Sequence, residues 1–295
     1  PAKFFFYNIA MRYNRGQMPD ILKKYWGYTS FRPLQEDIIM SILDDRESLT
    51  VLPTGGGKSL CFQLPALIKD GMAIVISPLI SLMKDQVDAL KDIGIAAEYL
   101  NSSLTPKEQR EIINLIAEQK IKLLYISPER LQSEETMDLL QSIPLSFFVI
   151  DEAHCISHWG HDFRADYRNL KIIKKIFPHV SIHAFTATAT REVREDIVAQ
   201  LGFTGAKIHV APVDRPNLTY RMVPRTSIIK QITEVLEKHK GEPGIIYCLR
   251  RDDVDTISEK LNKLGFKNLP YHAGLTDDAR HENQDKFVSE EVDII

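Results

Sequence analysis

The chain has 295 residues, 44% of them hydrophobic and 26% charged, a balance that suits a globular protein with room for two ordinary domains. No apolar stretch approaches the roughly 20 residues a membrane-crossing helix needs, and the aromatic start at residues 4–7 is too short for a signal peptide, so a cytoplasmic protein without a membrane partner is expected. A formal net charge of −3 excludes a uniformly basic nucleic-acid binder, and Cys61, Cys155 and Cys248 are too scattered for a disulfide framework or a zinc site.

Residues 1–22 match no motif and read as an N-terminal extension. The apolar run at 48–53 predicts a buried parallel strand that ends in TGGGKS, residues 54–59. In such a turn the backbone of Thr54, Gly55, Gly56 and Gly57 can surround phosphate oxygens, Lys58 reaches the terminal phosphates, and the Ser59 hydroxyl faces a metal. Leu52 stands where the strict GxxxxGK[ST] pattern has its first glycine. A strand at 73–77 is followed by a helix at 79–93, and Thr105 caps a helix at 106–119 that opens with Pro106.

Further strands are expected at 122–127, 146–150 and 181–185, which with the intervening helices gives an α/β domain whose parallel sheet is covered on both faces. The strand before residue 151 delivers DEAH. The carboxylates of Asp151 and Glu152 suit a hard cation, Mg²⁺, and a water oriented for attack on phosphorus. Ligands of such sheets gather beyond the carboxyl ends of the strands, where Thr54, Ser77, Ser127, Asp151 and Thr186 all fall. At 211–217, APVDRPN carries two prolines and reads as a linker between a first domain at 23–210 and a second at 218–295. Beyond it, strands at 218–223, 244–248, 268–272 and 292–295 alternate with helices at 228–239, 252–264 and 277–288, an incomplete second sheet.

With GYTSFRPLQ at 27–35, TGGGKS, SPLISLMKDQ at 77–86, YISPERL at 125–131, DEAH, FTATAT at 185–190 and YHAGL at 271–275, the chain resembles a RecQ-family DNA helicase of superfamily 2. That resemblance implies tandem RecA-like domains of the P-loop NTPase class, the second incomplete, and a superfamily that does not demand the glycine at 52. It implies ATP and Mg²⁺ as cofactors, single-stranded and partially duplex DNA as partners, and 3′ to 5′ translocation coupled to ATP hydrolysis in DNA repair or recombination. In bacteria such an enzyme works in the cytoplasm or nucleoid.

Residue by residue, the resemblance maps Tyr28 as a ring stacked on adenine, Arg32 as a phosphate or base contact and Gln35 as the bidentate reader of the adenine edge. The segment CISHWGHDFRADYRNL at 155–170 is similar to the aromatic-rich loop that couples single-stranded DNA to hydrolysis in the family. Trp159 and Phe163 offer flat faces to unpaired bases, and Arg164 offers charge to phosphate; the alternative is a buried aromatic cluster. Thr186 and Thr188 would link the nucleotide and DNA sites, Ser127, Arg130 and Lys84 fall on segments that touch the DNA backbone in relatives, and His154 is expected to bridge toward Thr186 and Thr188 or Gln86. Arg250 and Asp252 replace a usual serine and lysine, Ala165 replaces a common proline, and the family's arginine finger lies beyond Ile295. Without that finger hydrolysis would fall by about 10³ to 10⁵, so an ATP- and DNA-binding module without motor activity is the alternative, and an RNA helicase a weaker third.

Overall fold

The computed structural model describes residues 16–160, 163–212 and 217–295. They fall into two compact units that divide after Arg215, inside the segment read as a linker, whose residues 213–216 lie outside the described ones.

The first unit is a seven-stranded, wholly parallel sheet. Its strands are β1 (Ser48–Val51), β2 (Met72–Ile76), β3 (Ala97–Leu100), β4 (Leu123–Ile126), β5 (Leu145–Ile150), β6 (Ser181–Thr186) and β7 (Lys207–Val210). They lie in the order β3-β4-β2-β5-β6-β1-β7. Central strands are buried along their whole length because both faces are covered: no residue of SLTV, MAIVI or LLYI is open to solvent. Alternate residues supply two cores. Ile74, Ile76, Phe148 and Ile150 face one, Ala73, Val75, Phe147 and Val149 the other.

The covering helices include α1 (Gln17–Trp26), α2 (Gln35–Leu43), α3 (Lys58–Ile68), α4 (Ile80–Asp92), α5 (Pro106–Ala117), α6 (Pro128–Leu131), α7 (Glu134–Gln141), α8 (Lys171–Ile176) and α9 (Arg191–Leu201). Short 3₁₀ helices occupy Ala153–Ile156 and Ala165–Leu170. The cap expected at Thr105 is a full capping box with Glu108. One expectation is corrected: Met18 and Leu22 of α1 are buried in the core, so the residues from Gln17 onward belong to the packed unit rather than to an extension. Residues 1–15 lie outside the described residues.

The second unit carries α10 (Ile228–Lys238), α11 (Arg251–Lys263) and α12 (Asp277–Val288), close to the three helices read from sequence. Its strands are reduced. Ile294 makes isolated parallel bridges to Gly244 and Asn268, and residues 218–223 are exposed without a ladder. Only Ser258, Leu261, Asn268 and Ile294 are buried among the unit's described residues, while Tyr247 and Leu249 are open to solvent, so the segments lack the covered faces that hold a central strand.

Candidate nucleotide and nucleic-acid site

Because every strand of the first unit runs the same way, the residues after β1, β2, β4, β5 and β6 share one edge of the sheet. The turn after β1 is shaped by its glycines. Gly55 and Gly57 hold left-handed φ of 78° and 81°, and a Cβ on Gly56 would stand 2.8 Å from the Pro53 carbonyl. Gly57 then leads directly into α3, leaving the first N–H groups of that helix without an intrahelical acceptor.

Two residues at the entry to α2, Arg32 just before it and Gln35 at its first position, grip this turn. Arg32 donates from its guanidinium to the Gly55 carbonyl, and the Gln35 amide donates to the carbonyls of Gly57 (3.3 Å) and Gly56 (3.5 Å) while its oxygen accepts from the Arg32 N–H at 2.8 Å. Gln35 is 2% exposed. Its donor and acceptor, expected on an adenine edge, are thus engaged with the turn itself. Tyr28 stands open at 54% exposure. Lys58 donates from Nζ to the Leu52 carbonyl at 3.3 Å, and Ser59 is half-buried one residue further into the helix.

At the end of β5, the Asp151 N–H bonds the Ile76 carbonyl at 2.9 Å and the Asp151 carboxylate accepts from the Glu152 N–H at 3.0 Å. Burial, and then the neighbouring Glu152 charge, push the Asp151 carboxyl up to about 6; the Glu152 N–H, Lys58 and His154 pull the other way. Glu152 itself adopts φ 47°, ψ 45°, a left-handed conformation uncommon outside glycine. His154 Nδ1 lies 3.1 Å from Glu152 Oε2 and 2.9 Å from Thr186 Oγ1, and the Thr186 hydroxyl donates on to the Thr188 carbonyl at 3.1 Å. Its imidazole is pushed up to about 9 by the Cys155 side chain and by Glu152, against burial. His154 therefore reaches Thr186 as expected, whereas Gln86 pairs with Gln63 at 3.1 Å.

The loop after DEAH departs sharply from a core. Trp159 is 77% exposed. Its turn is anchored by Ser157, which accepts from the Trp159 N–H at 3.2 Å and donates to Asp196 of α9 at 2.7 Å. Gly160 is required because a Cβ there would collide with the His154 carbonyl. Phe163 differs from the expectation of a second free stacking face, since its half-buried ring stacks on His158 with centroids 4.2 Å apart. Arg164 donates to the Pro78 carbonyl at 3.0 Å, and His161 and Asp162 lie outside the described residues.

The other candidates are spread along the same edge. Ser127 is buried and caps α6 by accepting from the Arg130 N–H, Arg130 reaches Glu135 at 3.4 Å, and Lys84 and Thr188 are exposed. One residue the sequence reading passed over is Tyr167, which is buried with its phenol held protonated and donates to the Asp151 carbonyl at 3.2 Å. Its neighbours in sequence, Asp166, Arg168 and Asn169, are polar and gave no signal of a buried position. Asp196, 39 residues from its partner Ser157, gave none. Among the described residues no group of three or more His, Cys, Asp or Glu is placed to hold a metal, so a cation here would share its shell with ligand oxygens and water.

The sequence profile of the DEAD/DEAH box helicases matches residues 32–196. The chain is 44% identical over 276 residues to the ATP-dependent DNA helicase RecQ of Pasteurella multocida, covering 94% of this chain and 44% of that protein. It is 43% identical over 277 residues to RecQ of Bacillus subtilis, covering 93% and 47%. The chain thus spans less than half the length of these relatives. Among solved structures, the helicase MrfA bound to DNA is similar in fold, with a TM-score of 0.68 at 17% identity over 94% of this chain and 43% of that one.

Proposed function

The chain belongs to the DEAD/DEAH box helicase family, and from that premise we propose that it is the nucleotide-gripping part of a RecQ-like, ATP-dependent DNA helicase that tracks 3′ to 5′ along single-stranded DNA. One observation carries the reading. The glycine turn after β1, the Asp151–Glu152 pair after β5 and the exposed Trp159 a few residues later share one edge of a parallel sheet.

On this reading the ATP phosphates lie against the N–H groups of Gly55 to Ser59, and Lys58 exchanges the Leu52 carbonyl for phosphate oxygen. Arg32 and Gln35 give up the turn carbonyls, freeing the Gln35 amide to donate to and accept from adenine while Tyr28 covers its face. Ser59 and Asp151 would hold Mg²⁺, which neutralises developing phosphate charge. The donor set fits, because the buried Asp151 carboxyl beside Glu152 is one whose charge a cation relieves. Glu152 orients the attacking water, and His154 ties it to Thr186, so a shift at the strand end is felt at the carboxylate. Trp159 offers an unpaired base a stacking platform without sequence preference, and Lys84, Arg130 and Arg164 would supply charge to the phosphate backbone.

The deciding experiment is steady-state ATP hydrolysis by this chain with and without single-stranded DNA, beside calorimetric ATP binding in magnesium. DNA-stimulated turnover supports the motor; binding without turnover supports the binding module alone; absence of binding removes the nucleotide assignment. RNA matching DNA as competitor for the Trp159 loop would move the substrate class to RNA.

A further inference from the structure

We infer that Tyr167 is a positioning residue that holds the Asp151–Glu152 turn and passes the state of the Trp159 loop to it. The inference rests on the nucleotide reading above and names a link that reading does not contain. Glu152 turns away from Asp151 at φ 47°, a conformation a non-glycine residue keeps only where neighbours over-determine it. Its N–H is held by the Asp151 carboxylate at 3.0 Å and its carbonyl by the Cys155 N–H at 2.9 Å. The remaining polar atom of the Asp151–Glu152 peptide, the Asp151 carbonyl, accepts from the Tyr167 phenol at 3.2 Å.

The other side of Tyr167 is fastened to the loop. Its N–H bonds the Arg164 carbonyl at 3.1 Å, and the Arg164 N–H bonds the Cys155 carbonyl at 3.0 Å, so both stems of the loop meet beside the tyrosine. The Arg164 guanidinium reaches the Pro78 carbonyl after β2, and Gln132 at the end of α6 donates to the Asp166 carbonyl at 3.1 Å. The ring is 1% exposed, in the core that also holds Leu131, Ile150 and Ile156. A displacement of the loop stem therefore moves a rigid, close-packed ring whose far end touches the turn carrying Glu152. A tyrosine that merely fills the core would pack equally well without its hydroxyl.

The test uses the whole chain, a non-hydrolysable ATP analogue with magnesium, and the emission of Trp159, with a Trp159→Phe control to subtract Trp26. Tyr167→Phe is expected to bind the analogue within about twofold of wild type but to lose at least half of the nucleotide-induced change at Trp159. A 4-aminophenylalanine at the same position, whose para amino group can donate again, is expected to restore it. A full response in Tyr167→Phe, or no rescue by the amino variant, overturns the inference. Hydrogen exchange on wild type supplies a measurement independent of any variant: on binding the analogue, amides at 151–155 and 165–170 should change together, and a change in the first segment alone overturns the link. If wild type binds the analogue while Trp159 does not respond, the nucleotide reading stands and the inference falls. If wild type binds nothing, both fall.

Discussion

Lys58 sits in a bond to the Leu52 carbonyl that a phosphate must replace, and the gain is that of a charge-assisted contact, about 1.5 to 3 kcal/mol. Lys58→Ala should therefore weaken ATP binding by about 10- to 100-fold in calorimetry, and an unchanged affinity would remove the phosphate assignment. Gly57 is constrained twice, by φ 81° and by the Gln35 amide that a Cβ would strike. Gly57→Ala should therefore weaken nucleotide binding in calorimetry through both the angle and the clash, and an unchanged affinity would mean that the shape of this turn is irrelevant to the nucleotide. Trp159→Ala removes an exposed ring that no core depends on, so ATP affinity should hold while DNA stimulation of hydrolysis disappears. Stimulation equal to wild type would return the loop to a structural role. TGGGKS and DEAH were legible because each is a local string whose chemistry follows from neighbours in sequence. The inward turn of Gln35, the stacking of Phe163 on His158 and the hydroxyl of Tyr167 were not, because each is decided by a partner brought up by the fold.

Elements show the same division. Strands such as MAIVI and LSFFVI declare themselves by continuous apolar runs, whereas β3 and β7 were missed because AEYL and KIHV are four-residue edge strands with polar residues and partial exposure. Their placement comes from pairing, Ala97 with Leu123 and Ser48 with Lys207. On β6, opposite Ser48 of β1, His183 is fully buried; its Nδ1 stands 2.9 Å from the Ser48 hydroxyl and its Nε2 3.0 Å from the Ser181 hydroxyl. Ser181 donates to Asp45, so it accepts from Nε2–H and the neutral ring satisfies both serines. Burial above all, then Lys69 and His209, lowers its pKa to about 3. The unfolded histidine takes up a proton below about 6.5 and the folded one does not, so this contribution is complete above about 6.5 and is lost as pH falls toward about 3, with a slope of at most about 1.4 kcal/mol per pH unit. Urea unfolding at pH 7.5, 6 and 5 should show a shallower loss in His183→Gln than in wild type; parallel losses would assign the acid sensitivity elsewhere. The capping box of α5 gives a simpler expectation, that Thr105→Ala lowers stability by about 1 kcal/mol at any of these pH values.

At the scale of the molecule the two units differ in how much apolar surface they bury. The first wraps a sheet in helices on both faces, while the second has four buried residues among those described. Limited proteolysis should therefore leave a resistant fragment that contains β1 to β7 and still binds ATP, with cuts accumulating first in 217–295. A second unit as resistant as the first would contradict the comparison. The parallel order of the sheet also sets a schedule. Strand β1, which carries the phosphate turn, lies between β6 and β7, the last two strands of its unit to be made. A ribosome adding about 5 to 20 residues per second reaches Thr186, the end of β6, roughly 7 to 28 seconds after Ser48. Throughout that interval β1 waits as an unpaired hydrophobic segment, and the emerging chain can neither grip nucleotide nor be stabilised by it until its unit is nearly complete.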